Sequence, residues 1–150
     1  LALPRAEKAV YLVQKEVAER MAAPPGDKTY GALSVNLQAV VDVELLRKVP
    51  PGAFNPPPAV DSAVVRVTPR AQSVIEPELE ERYRSFVLAA FGLRRKQLVR
   101  VVRTVASLDA ERAGVVVAEC GLDPMARPET LTPAEFALLV RARYAEPSSR

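Results

Sequence analysis

The chain has 150 residues, 49% of them hydrophobic, and a formal net charge of +3, which together predict one domain, or a small domain joined to part of another, with a packed core. One cysteine and no histidine exclude a disulfide scaffold, the usual zinc patterns and a Cys-His or Ser-His-Asp nucleophile. No apolar run approaches the roughly 20 residues of a membrane span, and the sequence lacks a signal peptide's basic and apolar start, so we expect a cytoplasmic protein without a membrane partner.

The first part of the chain is predicted to contain strands and short helices. Residues 9–13, AVYLV, are typical of a buried strand in a parallel sheet, and residues 14–21 follow as a short helix. A helical turn near Leu33, a strand from about Val40 and a second strand over residues 62–68 are expected next. Because a loop of ordinary length joins the last two strands, they are predicted to pair as an antiparallel hairpin at a sheet edge.

The loop of this hairpin contains Phe54 and the consecutive prolines 56–58. Proline fixes φ and removes a backbone donor, so three in succession hold an extended segment that cannot join the hydrogen-bond ladder of a sheet. Two interpretations of Phe54 are open from the residues alone. It is buried in a core, as aromatic side chains often are, or the rigid loop holds it for a contact of its own.

Four helices are predicted after a polar connector that starts at Pro69. They are expected at about residues 77–91, 96–105, 109–120 and 133–144, with start signals at Pro77, Asp109 and the pair Thr132 and Glu135, and stop signals at Gly92 and Gly121. The sequence therefore predicts an α/β protein. Residues 1–70 would form a piece of mixed sheet, and residues 71–150 a small all-helical domain.

Residues 82–108 contain seven basic side chains and no acidic one. In the second predicted helix Lys96, Arg100 and Arg103 are expected to lie opposite the apolar side. Such cations can contact successive phosphates while the other side packs into the core. A merely solvated face is the ordinary alternative, but stabilising surface pairs normally mix both signs. The run therefore favours binding to RNA or DNA.

Five separated segments carry a family resemblance: VQKEVAERM, KTYGALSV, VPPGAFNPPPAVDSAVVRV, FGLRRKQL and GLDPMARPETLTPAEFALL. In this order and spacing they resemble the ribosomal RNA adenine dimethyltransferases that modify small-subunit rRNA. The resemblance covers about residues 9–144 and implies the end of a Rossmann-like methyltransferase sheet followed by the helical RNA-binding domain. The family's glycine-rich cofactor loop, acidic ribose-binding residue and Asn-Leu-Pro-Tyr motif belong upstream of Leu1. We therefore expect no cofactor-binding residue in this chain, and an inactive chain when it is alone.

The resemblance implies transfer of methyl groups from S-adenosylmethionine to the exocyclic amine of adenines in small-subunit rRNA, with the target base drawn out of its stack. Phe54 matches the family's aromatic residue before the proline-rich turn, which makes it the candidate for stacking on the target adenine. The position after the prolines, commonly lysine in the family, is Ala59 here, and this removes a phosphate contact. The candidate RNA-binding residues are Arg94, Arg95, Lys96, Arg100 and Arg103.

The implied partner is small-subunit rRNA or the assembling small ribosomal subunit, bound by a monomer without a metal site. Two alternatives stay open. One is a non-catalytic rRNA-binding or ribosome-assembly module in which the helical domain is the working part. The other is a large-subunit rRNA methyltransferase of the antibiotic-resistance type, although the RRK and GLDP…RPETL segments favour the small-subunit branch.

Overall fold

A computed structural model describes residues 7–145 of the chain. Its strands and helices, in chain order, are β1 (Ala9–Gln14), α1 (Lys15–Ala22), α2 (Ala32–Gln38), β2 (Val41–Val49), β3 (Ser62–Pro69), α3 (Glu80–Gly92), α4 (Leu98–Val105), α5 (Ala110–Glu119) and α6 (Pro133–Tyr144). This is the predicted α/β architecture, with the helices in the predicted places. The division at residue 70 stays a prediction, and its outer ends, residues 1–6 and 146–150, lie outside the described residues.

The described strands form one antiparallel sheet in the order β1-β3-β2. The predicted hairpin of β2 and β3 is confirmed, with β2 at an edge of this sheet. The prediction that β1 is a buried strand of the parallel type is wrong for the described chain. β1 runs antiparallel to β3, and Val10, Tyr11 and Leu12 are more than half exposed. An apolar, β-branched run favours a strand, but it does not encode the direction of the strand beside it.

α1 packs on one face of this sheet. Ala18 of α1 and two residues of β3, Ala63 and Val65, are buried together and form a small hydrophobic core. The start of α1 is fixed to the strand entry because the backbone N–H of Lys15 donates to the carbonyl of Asp61 at 2.9 Å. The loop that precedes β3 is thus held beside the first turn of α1.

The larger core joins α2 to the four C-terminal helices. Its buried side chains include Val35 of α2, Phe86 of α3, Val101 of α4, Val117 of α5 and Phe136 of α6. Three of the expected helix ends are confirmed: Asp109 accepts a hydrogen bond from the N–H of Arg112, Thr132 and Glu135 form a reciprocal capping box, and Gly121 has a φ of +67°. Pro77 instead opens a 3-10 turn, Pro77–Leu79, before α3, and Gly92 is the last residue of α3. Local signals therefore determine where these helices begin and end.

Two buried tyrosines connect distant parts of the chain within this core. The hydroxyl of Tyr30, in the segment before α2, donates to the carbonyl of Leu131 at 2.6 Å. The hydroxyl of Tyr83 in α3 donates to the carbonyl of Pro133 at 2.9 Å. The carbonyl of Leu131 lies just before α6 and that of Pro133 belongs to its first residue, so the two hydroxyls hold the start of that helix against α3 and the α1–α2 connection.

We expect these tyrosines to make the fold sensitive to high pH. Burial raises the pKa of Tyr30 and of Tyr83 above the ordinary value of 10.0. Because the folded pKa exceeds the unfolded one, their contribution to stability is fully present below about pH 10 and is lost as the pH rises through the folded pKa. In an alkaline titration, two tyrosines should ionise only together with the loss of helical circular dichroism.

The variant Tyr83→Phe serves as the control for this titration. In this variant, the tyrosinate absorbance that appears together with unfolding should be smaller than in the unchanged chain by the contribution of one tyrosine. Ionisation of all tyrosines before any loss of helix would contradict the expectation.

Candidate nucleic-acid interface

The basic segment Arg94, Arg95 and Lys96 forms an exposed turn between α3 and α4. The N–H of Lys96 donates to the carbonyl of Leu93 at 2.8 Å, which closes the turn. Lys96 therefore lies on the turn and not on α4, where the sequence predicted it. The reason is the extended backbone of Gln97, the residue directly before α4, which separates Lys96 from the helix.

The other two predicted cations lie on α4 itself. Arg100 and Arg103 are exposed and three residues apart, which places them on the same side of the helix. Leu98, Val101 and Val102 are buried on the other side. The predicted amphipathic arrangement of α4 is thus confirmed, and the helix presents its cations while its apolar side anchors it in the core.

Ion pairing distinguishes Arg94 from the other four candidates. The guanidinium of Arg94 lies 2.7 Å from the carboxylate of Glu129, with side chains 44% and 31% exposed. No carboxylate of residues 7–145 forms an ion pair with any of the remaining candidates, Arg95, Lys96, Arg100 and Arg103. Four exposed cations are therefore available to bind an anionic partner without first giving up an ion pair.

A basic cleft beside this turn was missed from the sequence. It has a volume of about 330 Å³ and brings Arg20 of α1 and Lys28 together with Arg94. Arg20 is partly neutralised by Glu16, at 2.8 Å. These positions are far apart in the chain, so no local charge count could join them. The one sequence signal for this cleft is that Lys28 is the first residue of KTYGALSV, a segment that carries the family resemblance.

Phe54 lies in the loop between β2 and β3. Its N–H donates to the carbonyl of Pro51 at 3.1 Å, closing a single 3-10 turn over Pro51–Ala53. The residue is half-buried and belongs to neither hydrophobic core of the described chain. Burial in a core is therefore not what holds Phe54, while its role in stacking stays a prediction.

The proline-rich loop and the basic turn lie at opposite ends of α1. Loop residues Pro51 and Ala59 share a cleft of about 420 Å³ with the first turns of α1, and Arg94 lies near Arg20 in its last turn. A helix of eight residues is about 12 Å long. The loop and the basic turn thus lie near opposite ends of one short helix.

The loop cleft itself does not suit phosphate. Three carboxylates, of Glu16, Glu19 and Asp61, line it against one ammonium group, that of Lys15. A phosphate placed there would meet a net negative charge. The contribution of this loop to RNA binding is therefore expected from Phe54, and the absence of a cation at Ala59 agrees with the local charge.

Residues 7–145 contain no cluster of three or more Cys, Asp or Glu side chains suited to a metal ion. Burial raises the pKa of the half-buried Cys120, which keeps that thiol protonated and a poor nucleophile. No helix within the described part of the chain has both the length and the apolar character needed to cross a membrane.

Comparison with known proteins gives consistent matches. The family model described as ribosomal RNA adenine dimethylase matches residues 1–139. The ribosomal RNA small subunit methyltransferase A of Anaeromyxobacter dehalogenans strain 2CP-C is 47% identical over 137 residues, which cover 90% of this chain and 47% of that protein. The protein of the same name from Xanthomonas oryzae pv. oryzae strain PXO99A is 46% identical over 138 residues, covering 92% and 49%. The chain thus spans about half the length of the curated relatives it matches.

Solved structures of two methyltransferases share the fold. The crystal structure of a dimethyladenosine transferase from Plasmodium falciparum matches with a TM-score of 0.76 and 25% identity, covering 91% of this chain and 56% of that one. The 23S rRNA methyltransferase ErmE matches in fold alone, with a TM-score of 0.66, 24% identity and coverage of 95% and 57%. These matches confirm the predicted fold class, the C-terminal part of a Rossmann-like methyltransferase sheet followed by a helical region.

Proposed function

Because this chain belongs to the ribosomal RNA adenine dimethylase family, we propose that it is the RNA-docking part of a methyltransferase that acts on adenines of small-subunit rRNA. The observation that carries the proposal is the set of four exposed cations without a carboxylate partner among residues 7–145, on the α3–α4 turn and on α4. They lie in the FGLRRKQL segment and directly after it. The partner is small-subunit rRNA or the assembling small subunit.

The choice of the small subunit is supported by the relatives. Curated proteins that are 46–48% identical to this chain carry the name small subunit methyltransferase A. The large-subunit enzyme ErmE is 24% identical and supports the fold alone. A small-subunit substrate is therefore the proposal, and a large-subunit substrate is its alternative.

In the proposed reaction this chain binds the RNA and positions the target adenine. S-adenosylmethionine supplies the methyl group in this family, and the chain contains no GxG segment that could hold that cofactor. Arg95, Lys96, Arg100 and Arg103 would contact phosphates. Phe54 would stack on the adenine, and the prolines after it would limit where its ring can move.

Salt dependence tests the phosphate contacts. In a titration of the chain with a fragment of small-subunit rRNA, the double variant Arg100→Gln and Arg103→Gln should bind more weakly than the unchanged chain. Its slope of log affinity against log salt should be shallower by about 0.7–0.9 for each phosphate that the variant no longer neutralises. The reason is that each neutralised phosphate releases counterions from the RNA.

A matched control removes the same charge elsewhere. The double variant Arg84→Gln and Arg112→Gln also removes two exposed cations, of which Arg84 is already paired with Glu80 at 2.6 Å. We expect its slope to stay close to that of the unchanged chain. Equal slopes for all three proteins, or no binding of the unchanged chain, would contradict RNA docking by α4.

A further inference from the structure

A second group of cations surrounds Tyr144 at the end of α6. The guanidinium carbon of Arg82 in α3 lies 4.9 Å from the centroid of the Tyr144 ring, and that of Arg143 lies 5.0 Å from it. Each contact is attractive because the face of an aromatic ring is electron-rich. The three side chains therefore form one layer of flat, polarisable groups, which we call the Tyr144 layer.

The charges of this layer are not balanced within the described chain. Neither Arg82 nor Arg143 forms an ion pair with a carboxylate of residues 7–145. Arg143 donates from Nε to the carbonyl of Ala106 at 3.2 Å, which fixes its position beside the end of α4. Two guanidinium groups held beside one ring concentrate positive charge at this place on the surface, and that charge would favour the binding of an anion.

The Tyr144 layer borders a cleft of about 540 Å³ between α3, the end of α4 and α6. This volume lies within the roughly 300–1,000 Å³ of typical ligand sites. The cleft is lined by Ser85, Phe86, Ala89 and Val105 together with Arg82 and Tyr144 of the layer, and Glu81 is its one carboxylate among the described residues. Arg143 lies beside it, against the Tyr144 ring. Apart from Glu81 and Tyr144, its lining residues fall in the acid-free segment 82–108. Of the basic residues in that segment, Arg82 is the one that lines the cleft.

We infer that this cleft is a second RNA contact, which binds one unpaired nucleotide with its base against the Tyr144 layer and its phosphate at Arg82 and Arg143. The inference rests on the proposed docking of this chain on rRNA. Unstacked bases of RNA are commonly held on aromatic rings and guanidinium planes, and such stacking tolerates any base. An acidic peptide would use the two cations but would leave the flat aromatic surface without a partner.

The test compares single-stranded and double-stranded RNA. The 150-residue chain is titrated with a labelled single-stranded RNA of mixed sequence and with a duplex of the same length. Tyr144→Leu should lower the affinity for the single strand by roughly 5- to 100-fold and should hardly change the affinity for the duplex. The salt slope should stay the same, because stacking releases no counterions. Tyr144→Phe should restore the affinity.

The arginines provide an independent measurement, since both are exposed on the surface. Arg82→Gln and Arg143→Gln together should reduce the salt slope for the single strand by about 0.7, the value for the one phosphate that they share, and each variant alone should reduce it by less. The matched control is Arg84→Gln, on the same helix as Arg82 but already paired with Glu80, and it should leave the slope unchanged. If Tyr144→Leu fails to fold, these two arginine variants decide the question.

The possible outcomes separate this inference from the proposed function. Should the Tyr144 and arginine variants bind both RNAs like the unchanged chain while the Arg100 and Arg103 variant stays weak, the inference is overturned and the proposed function stands. Should the unchanged chain bind neither RNA, both fall. Displacement of the single strand by polyglutamate at similar charge concentration would identify an acidic peptide as the occupant. A dimer that Tyr144→Leu dissociates would identify a second copy of the chain. Either result would also overturn the inference.

Discussion

Replacing Tyr30 with alanine should lower the free energy of unfolding by about 3–5 kcal/mol, the range for deleting a buried aromatic side chain. Tyr30 is fully buried, its ring meets Phe91 edge-on at a centroid distance of 6.0 Å, and its hydroxyl donates to Leu131. The variant therefore leaves a cavity, removes an aromatic contact and leaves a buried carbonyl without its donor. Urea unfolding followed by circular dichroism measures the change.

Two further variants show which part of Tyr30 matters. Tyr30→Phe keeps the ring and removes only the hydroxyl, so we expect a decrease of about 1–3 kcal/mol from the unpaired carbonyl of Leu131. Tyr11→Ala removes the same kind of side chain from a position that is 52% exposed, and should change stability by about 0.5 kcal/mol or less. If Tyr30→Ala and Tyr11→Ala unfold at the same urea concentration, Tyr30 does not hold the core together.

The role of Tyr30 also shows what the sequence could not predict about the fold. The helices were predictable because their signals are local: the spacing of apolar residues, Asp109 as a cap, and the capping box at Thr132. The contact between Tyr30 and Leu131 joins residues 101 positions apart, and periodicity carries no information at that distance. The direction of β1 relative to β3 was mispredicted for the same reason.

The candidate site likewise contains residues that the sequence can identify and contacts that depend on the folded structure. The cations of the α3–α4 turn and α4 lie in one segment without acidic residues, so the sequence is sufficient to single them out. The pairing of Arg94 with Glu129, the approach of Lys28 to that turn and the layer around Tyr144 depend on how helices pack. A charge count along the chain cannot distinguish an arginine that is paired with a carboxylate from one that is free to bind RNA. The sequence alone therefore does not separate Arg94 from the other four candidates.

The loop around Phe54 suits a stacking role because its backbone is rigid although the Phe54 side chain is not buried in a core. The 3-10 turn at Pro51–Ala53 and the prolines that follow restrict the backbone on both sides of the residue. Neither hydrophobic core of the described chain includes Phe54. A ring that belongs to neither core can accept a base without opening either core, so stacking costs little reorganisation.

In a full-length methyltransferase that contains this chain, Phe54→Ala should lower the rate of methyl transfer to small ribosomal subunits by about 5- to 150-fold. This is the effect of removing one base-stacking interaction of roughly 1–3 kcal/mol. Because the phosphate contacts of α4 are untouched, RNA affinity and its salt slope should change little. The decrease should therefore fall on the rate at saturating subunits, while the affinity for S-adenosylmethionine stays the same.

Variants in the same loop make this expectation specific to the ring. Phe54→Trp should retain most of the rate because it keeps an aromatic face, and Val60→Ala, at a residue that is 50% exposed in the same loop, should leave the rate unchanged. An unchanged rate for Phe54→Ala would remove Phe54 from the mechanism. If the unaltered full-length protein binds rRNA with the expected salt slope but transfers no methyl group, the non-catalytic module becomes the better account. The cations of the α3–α4 turn and of α4 would then be the working part of the chain, because they bear on binding and not on methyl transfer.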